Sequence, residues 1–390
     1  MSGPFLRQLV VPGCALLVVL SMIFPGCTET GSWDQLTADL AALDWVYRIP
    51  LAIDNTGTTS TSSGVVGLAR LTPERFPYEK LKSSGDDIGF FDEAGRELPF
   101  EVEYWNFGGE SRLWVRIPEV AADGSSERIW LYFGSRGKTG RRDANAVWDS
   151  TFAGVWHISP GENATGRFQD SSGNGNHLSN GFGSNTPYGL APGILGAADA
   201  AVGQSEATDA LVAAATEELN NLGPLTFELW FKDVNSLTGN GARILSKGPI
   251  FLWINSAAGR RMALTVSYSD DGENDGVNLF RDAVVGWTLD NWLNVAVTWD
   301  GGHQETGVTF FADGVDAGFF NGNDAAGARN DDSGYPQFVG NSAGGGADRA
   351  PGAHLDEIRI STVVRSPSWL LLSYRGASDQ LFTFGAVEEL

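Results

Sequence analysis

An all-β fold in two consecutive domains is what this sequence predicts, and two observations carry it. Short apolar runs alternate with polar residues at a period of two, the signature of half-buried strands. The 50 glycines, with many Asn and Asp, split those runs into tight turns. At 390 residues the chain is long enough for two cores, taking about one domain per 150 residues. Its 13 Trp and 22 Phe supply the apolar area that sandwich cores need.

A formal charge of −22 disfavours nucleic acid and anionic lipid surfaces as direct partners, since both repel an acidic body. The two cysteines, Cys14 and Cys27, both lie near the N-terminus, so the body has neither disulfides nor thiolate zinc sites. His157, His177, His303 and His354 are scattered, without the i, i+4 spacing of a helical metal site.

At the N-terminus Arg7 precedes the apolar run Leu9 to Phe24, which is too short to span a bilayer and reads as a secretory signal. Its end, Phe24-Pro25-Gly26-Cys27, resembles a bacterial lipoprotein signal. That resemblance implies a signal over 1–27, a lipid on Cys27 and, with Thr28 next, sorting to the outer membrane or cell surface. Residues 28–44 form a polar tether.

The first domain, 45–146, opens on Tyr47, Ile49, Leu51 and Ile53 alternating with Arg48, Pro50 and Ala52. Strands follow at 88–92, 98–105, Arg112 to Pro118 and Arg128 to Gly134, giving a small β-sandwich. The Phe90-Phe91-Asp92, Leu98-Pro99-Phe100-Glu101-Val102-Glu103-Tyr104-Trp105 and Leu113-Trp114-Val115-Arg116-Ile117-Pro118 segments resemble a bacterial domain of unknown function, DUF2341. Trp114, Trp130 and Tyr132 share outward faces; they form either a sugar-stacking platform flanked by Arg116 or a surface buried under the second domain.

The second domain, 151–388, begins at Gly154-Val155-Trp156-His157-Ile158. Leu293, Val295, Val297 and Trp299 alternate cleanly, and Asp313-Gly314 signals a hairpin. Ser366 to Arg375 reads as one short helix, and Phe382 to Val387 as a final strand pairing with the first. Alternation places Asp356, Ile358 and Ile360 on one face, where an Asp must be paired or bound to a cation. The turn Asp170-Ser171-Ser172-Gly173-Asn174-Gly175-Asn176-His177, the Phe227 to Phe231 strand, the Trp292 to Gly301 segment and Leu355 to Ile360 together resemble laminin-G-like, concanavalin-A-like jelly-roll domains.

The resemblance implies a binding module with a structural Ca²⁺. Asp170, Asn176 and Asp356 are the candidate oxygen ligands, unless Asp170 caps its own turn and Asp356 accepts backbone N–H bonds. Asp271 to Asp282 has acids spaced like an EF-hand loop but reads as a solvated hairpin tip. Trp230 and Glu228, or His177 and the loop 341–348, are the candidate ligand-binding groups. No strand carries Glu-x-Asp-x-Glu and no Gly-x-Ser-x-Gly lies on a strand-to-helix elbow, so an enzyme is not expected. The expected function is non-catalytic binding or adhesion at the cell surface, with glycan as first partner. A structural role beside an envelope (proton-channel-associated) protein and a divergent glycan hydrolase are the alternatives.

Overall fold

The computed structural model describes residues 44–390 apart from 125, 136, 159–166, 182–189, 205–209, 235–236, 238–239, 273–274 and 344–351. The expected signal, Cys27 and nearly all of the expected tether therefore lie outside the described residues. Strands make up 45% of the structure and helix 8%, so the protein is all-β.

The first domain is a sandwich. In one sheet Tyr47–Ile53 lies beside Glu127–Phe133, followed by Ile88–Phe91 and Glu97–Leu98. The other sheet holds Ser62–Leu71, Ser111–Val120 and Phe100–Tyr104. The single strand expected over 98–105 is broken at Pro99, which has no N–H for a ladder, and the chain passes there from one sheet to the other. Ile49, Leu51, Leu113, Val115, Ile129 and Leu131 fill the space between the sheets.

The second domain packs an eight-stranded sheet on a nine-stranded one. Along Leu225–Asp233 the residues Leu225, Phe227, Leu229 and Phe231 enter the core between these sheets. Leu293, Val295, Val297 and Trp299 do so from the neighbouring strand, as their alternation requires. All seven residues of Leu293–Trp299 are nonetheless buried, because the other face of this sheet is covered too. Trp230, Ala296 and Phe311 project from it into the core of the first domain.

The chain's end belongs to the first domain, so the expected limit of the second domain at 388 is corrected. After Ala353–Ser361 the helix Pro367–Ala377, N-capped by Ser366, packs on Ser62–Leu71. Phe382–Phe384 then pairs with Leu51 to Ile53, and Glu388–Glu389 with Tyr47 and Arg48. The last strands thus pair with the first strand among the described residues.

A second correction concerns Ala353–Ser361. Glu357 has φ of +48°, and the register to the neighbouring strand changes from Trp230↔Asp356 to Glu228↔Arg359. This bulge adds one residue and resets the alternation. Leu355, Ile358 and Ile360 face the sandwich core, whereas Asp356 bonds the backbone N–H of Ile194, which packs on the interdomain side. Asp356 therefore does not share the face of Ile358 and Ile360.

Candidate functional site

The two halves of the first domain's proposed sugar platform point in opposite directions. Trp114, 1% exposed, stacks on His157 of the second domain with ring centroids 5.2 Å apart. Trp130 and Tyr132 lie on the other sheet with Trp45 and Phe91, and Trp130 is covered by the Arg48 guanidinium at 3.9 Å. Burial under the second domain is the outcome for Trp114. Arg116, expected to flank the platform, pairs with Asp149.

Beneath Trp114 lies a buried polar cluster shared by both domains. His157 Nδ1 is 2.9 Å from Glu357 Oε1, and Nε2 is 3.4 Å from Glu101 Oε2. Arg359 donates from Nη2 to Glu357 at 2.8 Å and from Nη1 to Ser373 at 3.2 Å. Its guanidinium lies 4.7 Å from the Trp114 ring centre and 4.9 Å from that of Trp148. Glu103 accepts from Trp114 Nε1 at 2.9 Å and pairs with Arg112 at 3.1 Å. Burial alone would favour neutral His157, but Glu357 and Glu101 outweigh it and hold its pKa well above the ordinary 6.5. Burial likewise raises the Glu101 and Glu357 carboxyls, yet His157 and their hydrogen bonds keep both below the usual range.

Glu103, His157 and Glu357 bring ligand atoms within 4.8 Å of one another, but the imidazole lies between Glu357 and Glu101, and the guanidinium groups of Arg112 and Arg359 already pair with Glu103 and Glu357, a surrounding that does not suit a metal ion. This cluster joins the domains. It also absorbs two residues expected to bind ligand. Trp230 and Glu228 are each 3% exposed; Trp230 packs near Tyr374, and Glu228 accepts from Ser373 Oγ at 2.6 Å. They are corrected to interface residues, because the sheet face carrying them is covered by the first domain and the C-terminal helix.

Each expected calcium ligand is held by donors of the protein itself. Asp170 accepts backbone N–H bonds from Val155, Ser172 and Asn176 at 2.9–3.0 Å, capping its own turn. Asp356 accepts from Glu357 at 2.8 Å and Ile194 at 2.9 Å. Val155 lies opposite Arg359, which the bulge leaves two strand positions from Asp356, about 7 Å along the strand. Asn176 Oδ1 accepts from Thr216 at 2.7 Å. These oxygens face N–H and O–H donors and do not fit a shared calcium shell. His177 Nδ1 accepts from the Asp170 N–H at 3.0 Å, and burial holds its pKa below the ordinary value. Its place is in the turn. Asn341 is fully buried, and 344–348 of its loop lie outside the described residues. Asp282 stands in the strand Leu279–Val284 and bonds Arg261 at 2.9 Å, so it is no loop ligand.

What remains open is the outer face of the nine-stranded sheet. Along Ile250–Ser256, Ile250, Leu252 and Ile254 point inward while Phe251, Trp253 and Asn255 point out, half-buried. The register places Phe251 beside Thr265 and Thr265 beside Phe280. The next row runs Arg243, Trp253, Ala263, Asp282 and Asn321. Ring centroids of Phe251 and Trp253 are 6.2 Å apart, and those of Trp253 and Phe280 are 6.4 Å. Trp253 Nε1 donates to Thr265 Oγ1 at 3.0 Å, which fixes the indole. Arg243 lies over Phe251 at 3.8 Å, and Asn255 donates to Asp282 Oδ2 at 2.6 Å. The result is a row of three half-buried aromatic rings, with the planes of Phe251 and Phe280 inclined to that of Trp253 by 61° and 55° and the Arg243 guanidinium seated on Phe251, edged by hydrogen-bonding groups. Sequence reading missed it, although the period-two placing of Phe251 and Trp253 against Ile250, Leu252 and Ile254 was a legible signal.

Residues 84–160 match the model of the domain of unknown function DUF2341. Residues 206–370 match Laminin_G_3, of the concanavalin A-like lectin/glucanases superfamily. The chain thus carries the DUF2341 and lectin-like segments in the expected order, the first beginning later than residue 45 and ending past 146. No curated protein matches. Among solved structures, the binding domain of Paraclostridial Mosquitocidal Protein 1 is 12% identical with a TM-score of 0.42, over 58% of this chain and 52% of that one. The ligand binding domain of botulinum neurotoxin serotype D, in complex with N-acetylneuraminic acid, is 11% identical with a TM-score of 0.41, over 60% and 53%. Trypanosoma rangeli sialidase is 12% identical with a TM-score of 0.41, over 70% and 42%. The chain spans about half the length of the first two, 52% and 53%. No function follows from likeness this distant.

Proposed function

We propose that this chain is a non-catalytic glycan-binding protein of the cell envelope, held there by a lipid on Cys27. The observation that carries the binding reading is the half-exposed strip of Phe251, Trp253 and Phe280 beside Arg243, Thr265 and Asn255. Aromatic faces take the C–H faces of sugar rings while neighbouring polar groups meet the hydroxyls. The lectin-like superfamily match supports the same reading.

Binding without hydrolysis is supported by where the carboxylates lie. Glu101, Glu103, Glu228 and Glu357 are sealed between the domains, and Asp282 on the strip's face is fully buried and paired with Arg261. Two carboxylates flanking one bond, as glycoside hydrolysis needs, are not presented there among the described residues.

On a glycan array, the soluble body (residues 28–390) is expected to retain a subset of glycans. Trp253→Ala should weaken that binding on the order of 30-fold, the factor for losing a central aromatic anchor. Undiminished binding by a folded Trp253→Ala variant places the site elsewhere. Anchoring has its own check: Cys27→Ala should move the exported protein from the membrane to the soluble fraction. Continued membrane association that only detergent releases contradicts the lipid anchor.

A protein partner in the envelope is the second reading, favoured by an apolar tip where Val315, Phe319 and Phe320 are 63%, 54% and 57% exposed.

A further inference from the structure

Resting on the lipid anchor argued above, we propose that one end of the first domain is a membrane-facing surface, which presses an aromatic tip into a layer of zwitterionic lipid headgroups. Three observations carry this.

The first is where the chain enters the fold. Asp44, the first described residue, pairs with Lys138 at 3.0 Å, and the Leu390 N–H donates to the Val46 carbonyl at 2.9 Å. Register puts Tyr47 beside Phe133 and Phe133 beside Ile88 in one sheet. In the other, Leu71 lies beside Ser111, and Arg112 beside Tyr104. The Tyr78 hydroxyl donates to the Leu71 carbonyl at 3.2 Å, and the Gly134 N–H to the Asp87 carbonyl at 3.1 Å. The loops 72–87, 105–110 and 134–142 therefore meet at the end where the chain enters. Cys27 lies 17 residues before Asp44. Those residues reach at most about 60 Å. A lipid on Cys27 confines this end to the neighbourhood of the bilayer, at an effective concentration on the order of millimolar, where even weak insertion is populated.

The second is an exposed aromatic tip on a rigid base. Phe107 is 44% exposed. Behind it the buried Tyr78 ring lies 5.8 Å from Phe107 and 5.7 Å from Trp105, centroid to centroid. Trp105 Nε1 donates to the Ser83 carbonyl at 2.8 Å, and Gly85 lies so close that a Cβ would come within 2.5 Å of the indole. The two loops are locked to each other, so the tip is preformed and loses little entropy on insertion. Lys80 and Lys82 are exposed on the same loop as Tyr78, with Lys80 Nζ 4.1 Å from the Tyr47 ring centre. At a bilayer surface such a ring enters the acyl boundary while the ammonium groups stay among the phosphates.

The third is charge. At this end Lys80, Lys82, Lys138 and Arg142 stand with Asp44, Glu79, Asp86 and Glu389, and Arg48 pairs with Glu388. The end is thus close to neutral in a chain of net charge −22. The acidic remainder is repelled by a negative surface. A near-neutral end approaches a bilayer closely, and the contact there comes from the apolar tip, not from charge, which suits zwitterionic headgroups.

The test uses the full chain, purified with its lipid and placed in phosphatidylcholine vesicles. An environment-sensitive fluorophore is attached at Ser83→Cys, beside the tip, or at Ser333→Cys, in an exposed loop of the second domain. Emission from position 83 should shift to the blue and be quenched by a lipid-borne quencher, and emission from position 333 should do neither. Phe107 is exposed, so Phe107→Ala should leave the fold intact and the chain on its vesicles while abolishing both effects at position 83. In the soluble body, Phe107→Ala should weaken flotation with the same vesicles about tenfold. A vesicle-bound chain whose label at 83 is no more quenched than that at 333 overturns the surface and leaves the anchor standing. If mass spectrometry finds no lipid on Cys27, the anchor reading falls and flotation of the soluble body decides the surface alone. Phe107-dependent flotation then keeps it, and its absence removes it.

Discussion

Replacing Arg359 with Met lowers the free energy of unfolding by about 3–5 kcal/mol, the usual result of removing one partner from a buried ion pair. The cost arises because Glu357 keeps its charge among Trp114, Trp148 and His157 after losing the 2.8 Å bond from Nη2. The double variant Arg359→Met/Glu357→Gln should recover part of that loss, since it also removes the negative charge that Arg359→Met leaves to His157 alone. Denaturant unfolding of the three chains reads this directly; equal stability of parent and Arg359→Met would mean that the cluster does not hold the domains together. The same cluster sets a pH window. His157, raised when folded, contributes stability that is complete below its ordinary 6.5 and is lost as pH climbs through its higher folded value. Glu101 and Glu357, lowered when folded, contribute stability that is present above the ordinary 4.5 and is lost as acid titrates through their lower folded values. Stability should therefore be greatest between those ordinary values and fall toward alkaline pH, and His157→Gln should flatten the alkaline decline.

Ending the chain at Ser366 is expected to leave the first domain unfolded. The deletion removes Trp369, Leu370, Leu372, Ala377, Leu381 and Phe382, all buried against that domain. At about 1.5–3 kcal/mol for each large apolar side chain, the loss rivals the roughly 5–15 kcal/mol that holds a whole domain. It also strips the partner strand from Leu51 to Ile53 and uncovers Gly67, where a Cβ would come within 2.5 Å of Leu381. Limited proteolysis should cut the truncated chain throughout 47–133, and a peptide of residues 367–390 added in trans should restore protection. A chain ending at Ser366 that resists protease as well as the parent would show that the C-terminal segment only decorates the fold.

That dependence explains what was hard to read. Ser62–Leu71 went unrecognised because it does not alternate: Val65, Val66, Leu68 and Ala69 are all buried, one face in the sandwich and the other under the C-terminal helix. A strand covered on both sides reads as a plain apolar run, which periodicity alone cannot assign. Trp230 misled for the same reason. It sits beside Glu228 on a regular face, as a sugar site would, and only the first domain's packing reveals that this face is closed.

Local pattern by itself determined the all-β class, the domain order, the Asp313-Gly314 hairpin and the inward set Leu293, Val295, Val297 and Trp299, because each depends on spacing within a few residues. Tertiary structure alone decided the rest. The bulge at Glu357 moved Asp356 off the core face, the return of 367–390 completed the first domain, and the burial of one sheet face left the Phe251, Trp253 and Phe280 face as the open one. These outcomes follow from which surfaces meet, and partners lying hundreds of residues apart leave no trace in a local period.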